Sequence, residues 1–198
     1  MTQSPFAFLK SLGNSTPNAV LAAAFVSGAT RVFPVIERLG KDSTKRTCRG
    51  ILDDLWSFLN DQTIGDGFQK HLQTLKALPE SSEWDSHKPA YYVQRAIGVM
   101  WDTVRGLAEK SKQGVLQDWL GGVIEMSSAL DGLISINIGH DSHLEDREIQ
   151  YQQDVFQFLR DRPKLDVPMV AELKERSLQM SESYRIAIEE IARNEAWL

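Results

Sequence analysis

Residues 115–138 read VLQDWLGGVIEMSSALDGLISINI, and this stretch decides the fold. Leu116, Trp119, Leu120, Val123, Ile124, Met126, Leu130, Leu133, Ile134, Ile136 and Ile138 fall on every side of a 3.6-residue helix, not along one stripe. A helix that is apolar all round is enclosed by neighbours, so the stretch predicts the central helix of a bundle. Gly121 and Gly122 each cost such a helix about 1 kcal/mol against alanine. Close approach of a neighbouring backbone is the expected compensation.

Helical spacing continues in both directions. Upstream, Val93, Ile97, Met100, Val104 and Leu107 form a stripe that Ala96, Trp101 and Ala108 widen, with Pro89 suited to its first turn. Cys48, Ile51, Leu52, Leu55, Phe58 and Leu59 form another, after Asp42 and Ser43 as candidate caps. Phe68, Leu72 and Leu75 make a short third that stops before Pro79, and residues 17–39 predict a helix broken or kinked at Pro34. Downstream, Ser142-His143-Leu144-Glu145 has the form of a capping box opening a helix with Leu144, Tyr151, Val155 and Phe158 on one face. Asp166 and Pro168 begin a last helix, whose stripe is Val170, Leu173, Ser177, Met180, Tyr184, Ala187 and Ile191. No stretch alternates at period two as a strand would. The expected architecture is one all-α domain over 1–198, with seven or eight helices around a central helix at about 115–138.

Composition narrows the function classes. The 198 residues are 42% hydrophobic and 25% charged, an ordinary globular mix. Twenty-two basic against 27 acidic residues give a net charge of −5, which argues against a nucleic-acid partner. One cysteine, Cys48, excludes an intramolecular disulfide and a thiolate-only zinc site, and its place on an apolar stripe predicts a buried, inert thiol. Met1–Ser15 has no secretory pattern, and the apolar run Ala19–Val26 is short of the ~18–20 residues of a spanning helix. A cytoplasmic protein without a membrane partner is expected.

Several segments resemble a bacterial family of unknown function, the YjaG-like proteins. Leu52-Asp53-Asp54-Leu55-Trp56, within Ile51–Leu59, is similar to that family's leucine-aspartate-x-x-tryptophan helix. Glu83-Trp84-Asp85 followed by Pro89-Ala90 resembles its loop and proline-started helix, and Asp146–Gln152 its acidic, glutamine-containing helix start. The long C-terminal helix stands in the matching place. A family ending of serine-asparagine-isoleucine-glycine is absent, with Ser183-Tyr184-Arg185-Ile186 in its stead. The resemblance implies an all-helical bacterial cytosolic protein and no catalytic residues.

The remaining candidates are charge clusters and one aromatic. Lys41, Lys45 and Arg49 share a helical face next to Arg46 and suit an anionic partner. Asp141–Asp161 carries six acids, among them Asp141, Glu145, Asp146, Glu148 and Asp154, against two arginines, and suits a basic one. Trp84, in a polar loop between two acids, and Trp197 are candidate partner anchors. No metal or other cofactor is assigned. The residues nearest to a metal-ligand set are His140, His143 and Asp146, without a partner motif elsewhere. Asp118, Glu125 and Asp131 form a second acidic row, of the kind that holds magnesium in helical phosphohydrolases. The leading expectation is a non-enzymatic helical module that binds a protein, as an inhibitor or an immunity protein against a toxin, with self-association as a further possibility. The alternative is a metal-dependent hydrolase acting on a phosphorylated small molecule.

Overall fold

The structure, a computed structural model, describes residues 16–61, 67–86, 88–109, 113–160 and 165–195. Trp197 and Met1–Ser15 lie outside the described residues. Among the described residues seven helices follow in order: α1 Asn18–Leu39, α2 Asp42–Asp61, α3 Gly67–Lys76, α4 Pro89–Ala108, α5 Gln113–Ile138, α6 Leu144–Arg160 and α7 Val167–Glu195. No strand occurs among the described residues, so the all-α expectation holds.

The centre of the bundle lies elsewhere than predicted. Helix α5 covers the expected 115–138, but α1 is the enclosed element, with every residue from Val20 to Ile36 buried. Helices α2, α4, α5, α6 and α7 all pack on it. The reason is the distribution of charge. From Val20 to Ile36, α1 has one charged side chain, Arg31, whereas α5 keeps Asp118 and Glu125 on an open face and ends with Ile136 81% exposed. By length and composition α1 could cross a membrane, yet 94% of its most apolar window is buried inside the bundle. The apolar run therefore extends well past Val26. The helix also continues through Pro34 to Leu39, where a break or kink was expected; neighbours on all sides outweigh the one hydrogen bond that proline cannot donate.

Two glycines set how closely the helices approach α1. A Cβ on Gly28 would sit 2.2 Å from Trp119 Cζ2, and one on Gly106 would sit 2.4 Å from Phe25 Cε2. Phe25 and Trp119 pack against each other with ring centroids 5.1 Å apart. Close approach is thus made at Gly28 and Gly106, while Gly121 and Gly122 do not provide it. A Cβ on Gly121 meets nothing within 4 Å, and one on Gly122 only Val99 Cγ2 at 3.5 Å.

Helix ends are capped by carboxylates from elsewhere in the chain. Glu80, in the α3–α4 connection, accepts from the Lys41 N–H at 2.8 Å and the Thr44 hydroxyl at 2.6 Å, at the start of α2. Asp131 of α5 accepts from the backbone N–H groups of Leu144 at 2.9 Å and Glu145 at 2.8 Å, at the start of α6. Ser142, predicted to cap α6 with its own oxygen, donates its hydroxyl to Asp131 instead. Asp166 caps α7 as expected, accepting from the Met169 N–H at 2.9 Å.

Candidate functional site

Helices α4 and α5 are consecutive and antiparallel, as the pairings Arg95–Glu125 and Arg105–Asp118 require. Along α4, Tyr91, Gln94, Arg95, Gly98 and Asp102 recur at helical spacing and share one face. On α5 the facing stripe is Gln117, Asp118, Gly121, Gly122 and Glu125. The glycines withhold side chains where the stripes meet, leaving an open groove of about 570 Å³. Gly98, like Gly121, has nothing within 4 Å of the place its Cβ would occupy. Alanine at either position would gain helix propensity without a clash. The groove floor is therefore less stable than it could be, and packing does not explain it.

Trp84 stands at the rim of this groove and is 77% exposed. Its backbone is held: Glu83 Oε1 accepts from the Trp84 and Asp85 N–H groups at 3.0 Å each. Lys88 pairs with both Glu83 and Asp85 at 3.5 and 3.4 Å. Those bonds, the Asp85 N–H first, hold the Glu83 carboxyl below its ordinary value. A hydrogen-bonded turn thus presents an unburied indole, the kind of side chain from which partner interfaces draw their energy.

The groove is polarised along its length. At the Trp84 end, Arg95 pairs with Glu125 at 2.5 Å and donates to the Tyr91 hydroxyl at 2.7 and 2.9 Å. At the other end a single guanidinium serves two carboxylates: Arg105 lies 3.2 Å from Asp102 and 2.5 Å from Asp118. Burial pushes the Asp102 carboxyl up to about 6; Arg105 opposes that shift and Asp118 adds to it. Asp102, Arg95, Tyr91, Gln94, Gln117 and Gly98 were not singled out from sequence. Gly98 inside an apolar helical stripe was the available signal, because a mid-helix glycine calls for a reason.

The other candidates fall in separate places. Lys45 pairs with Asp42 at 3.7 Å, Arg49 with Glu37, and Lys41 is exposed at the start of α2. Local acids thus pair with Lys45 and Arg49 of the basic face. Asp141 and Asp146 approach His143 at 3.3 and 3.9 Å, and Asp154 accepts from Gln150 at 2.9 Å. Glu145 contributes its backbone N–H to the Asp131 cap. His140 turns away to Glu190, whose 2.7 Å hydrogen bond raises the imidazole above its ordinary value. The three possible ligands His140, His143 and Asp146 therefore do not converge, and among the described residues no three His, Cys, Asp or Glu side chains are placed to hold an ion. The row Asp118, Glu125 and Asp131 is likewise divided among Arg105, Arg95 and the start of α6.

Glu148 requires a correction. It is completely buried, so it is no part of an acidic surface, and its partner is Arg31 of α1. Arg31 Nη2 reaches Glu148 Oε1 at 2.5 Å and Arg31 Nε lies 3.0 Å from Oε2. Tyr184 and Gln152 donate to the same carboxylate at 3.2 and 3.0 Å. Arg31 Nη1 donates to Ser27 at 2.9 Å, and Ser27 is 2.7 Å from Ser177. Burial works against the Arg31 charge, but Glu148 outweighs it and the guanidinium stays above its ordinary value. The network ties α1, α6 and α7 together and is closed to solvent, which makes it structural. Cys48 is also buried, and desolvation pushes its thiol up to about 12, consistent with the expected inert group.

Comparison with solved structures finds the same arrangement of helices in a crystal structure of a DUF416 family protein from Shewanella baltica OS155. The TM-score is 0.67, over 87% of this chain and 93% of that one, at 15% sequence identity. The likeness is one of fold. It joins the chain to the architecture of an uncharacterised family. The sequence matches no family profile, and it matches no curated protein.

Proposed function

We propose that this chain is a non-enzymatic binding protein whose α4–α5 groove takes part of a protein partner, with Trp84 as the anchor. The observation that carries the reading is a tryptophan, 77% exposed on a hydrogen-bonded turn, at the rim of a groove of about 570 Å³. An indole left in water forgoes burial that would stabilise it by about 2–3 kcal/mol, and partner interfaces draw their energy from such side chains. The groove is acidic by one charge, with Asp102, Asp118 and Glu125 against Arg95 and Arg105, and the whole chain carries −5, which favours a basic partner over a nucleic acid. In its narrower form the reading makes the chain a cytoplasmic inhibitor, an immunity protein that neutralises a toxin. Kinship with the YjaG-like proteins belongs to the same proposal, supported by the motifs at Leu52–Trp56, Glu83–Asp85 and Asp146–Gln152. No observation of comparable weight favours the metal-dependent hydrolase.

The test is quantitative capture from a native lysate with the full chain and three variants. A specific partner should be held by the unaltered protein and by Gln179→Ala, on the distant exposed face of α7. It should be reduced at least ten-fold by Trp84→Ala and by Gly121→Leu. Capture that ignores both groove variants would end the proposal.

A further inference from the structure

We infer that the α4–α5 groove receives an extended segment of its partner that carries an arginine or lysine, with the cationic group seated against Asp102 and Asp118. The inference rests on the binding reading above and specifies the chemistry of what is bound.

Charge complementarity selects the occupant. Glu125 already has Arg95 at 2.5 Å, so that end of the groove is balanced. Asp102 and Asp118 share the one Arg105 guanidinium, which leaves a net negative charge at the other end among the described residues. The Asp102 side chain is only 19% exposed, so water compensates its charge poorly, and its carboxyl is held up near 6 by burial. A second cation entering the groove would supply the missing charge, and a neutral group would not. An acidic segment would meet repulsion.

Dimensions and floor select an extended main chain. Tyr91 and Asp102 are eleven residues apart on one helix face, about 16 Å at 1.5 Å per residue. Five residues of extended chain span that length at about 3.3 Å each. Gly98 and Gly121 leave the floor bare midway, where a backbone can lie close. Gln94 and Gln117, on opposite walls, carry side-chain amides able both to donate to and to accept from a peptide group. The segment's apolar end would then rest against Tyr91 and Trp84.

The experiment titrates capped five-residue peptides into the full-length, nitrogen-15-labelled protein and follows backbone amides by NMR. The first peptide places leucine and arginine at its two ends with three small residues between. The others replace the arginine with norleucine or glutamate. The arginine peptide should shift Gly98, Gly121 and Gly122, the norleucine peptide should bind at least ten-fold more weakly, and the glutamate peptide should cause no shift. Asp102→Asn should weaken the arginine peptide at least five-fold and leave the norleucine peptide unchanged, a pattern that a misfolded variant would not give. Equal binding of arginine and norleucine, no response to Asp102→Asn, or absence of shifts at these glycines at millimolar peptide would each overturn the inference. The binding reading fails separately, when partner capture is indifferent to Trp84→Ala.

Discussion

Asp102 and Asp118, on facing helices, are held by the same guanidinium, that of Arg105. Burial raises the carboxyl of Asp102, the more buried of the pair, to about 6; Arg105 opposes that shift and Asp118 adds to it. A raised carboxyl stabilises the fold below its ordinary value near 4, and that stability is lost as the pH climbs through 6. The penalty at neutral pH is at most about 3 kcal/mol, and residual solvent contact reduces it to about 1–2 kcal/mol. Asp102→Asn should therefore be the more stable protein at pH 7.5 by about 1–2 kcal/mol, with the gain shrinking toward zero at pH 4.5. Urea unfolding at the two pH values reads the difference. A gain independent of pH, or a loss at pH 7.5, would contradict the assignment.

The glycines divide into two classes with opposite expected effects. Gly98→Ala and Gly121→Ala add a methyl group to open space and should each stabilise α4 or α5 by about 0.5–1 kcal/mol. Gly28→Ala and Gly106→Ala drive a methyl group into Trp119 and Phe25 and should each cost about 1–3 kcal/mol. Thermal unfolding of the four variants would show both directions. Stabilising substitutions that also weaken partner capture would identify the groove as a place where the fold gives up stability for binding. If all four destabilise alike, the groove glycines are serving the helix packing after all.

What could be read in the sequence follows from the range of the interactions involved. Helices were legible because apolar spacing is local: α4, α5 and α7 lie where their stripes predict. The enclosed helix was misplaced because enclosure depends on how many neighbours pack on an element, and the break expected at Pro34 divided a helix that runs on to Leu39. A lone charge in a run of seventeen buried residues was itself a clue, since it demands a buried partner. Trp84 was legible from its acidic, polar flanks. Asp102 was not, because its raised carboxyl comes first from burial against α5, and Asp118 adds to it across a helix pair whose register no local pattern encodes.

Arg31 and Glu148 should be costly to separate and less costly to remove together. Either Arg31→Met or Glu148→Met leaves an unpaired charge in a site without water, at about 3–5 kcal/mol. The double variant removes both charges, and its cost should fall well below the sum of the two. Tyr184 and Gln152 would lose an acceptor in it, so some penalty should remain. A double-mutant cycle by chemical denaturation gives the coupling directly. Additive single costs would mean that the pair contributes by shape, not by charge.

The start of α6 offers a choice between two capping arrangements that differ in one residue's role. In a local capping box, Ser142 would accept from a backbone N–H and Glu145 would reach back, so Glu145→Gln should weaken the helix start. Here Asp131 occupies that position, accepting from the Leu144 and Glu145 N–H groups and from the Ser142 hydroxyl. Its negative charge also complements the positive end of the α6 dipole. Asp131→Ala should cost about 1–2 kcal/mol and speed hydrogen exchange at the Leu144 and Glu145 amides. Glu145→Gln should alter neither by more than about 0.5 kcal/mol, as expected of a surface substitution. The reverse order of effects would return the cap to Ser142 and Glu145. It would also detach α6 from α5 at the point where the carboxylate of Asp131 now joins them.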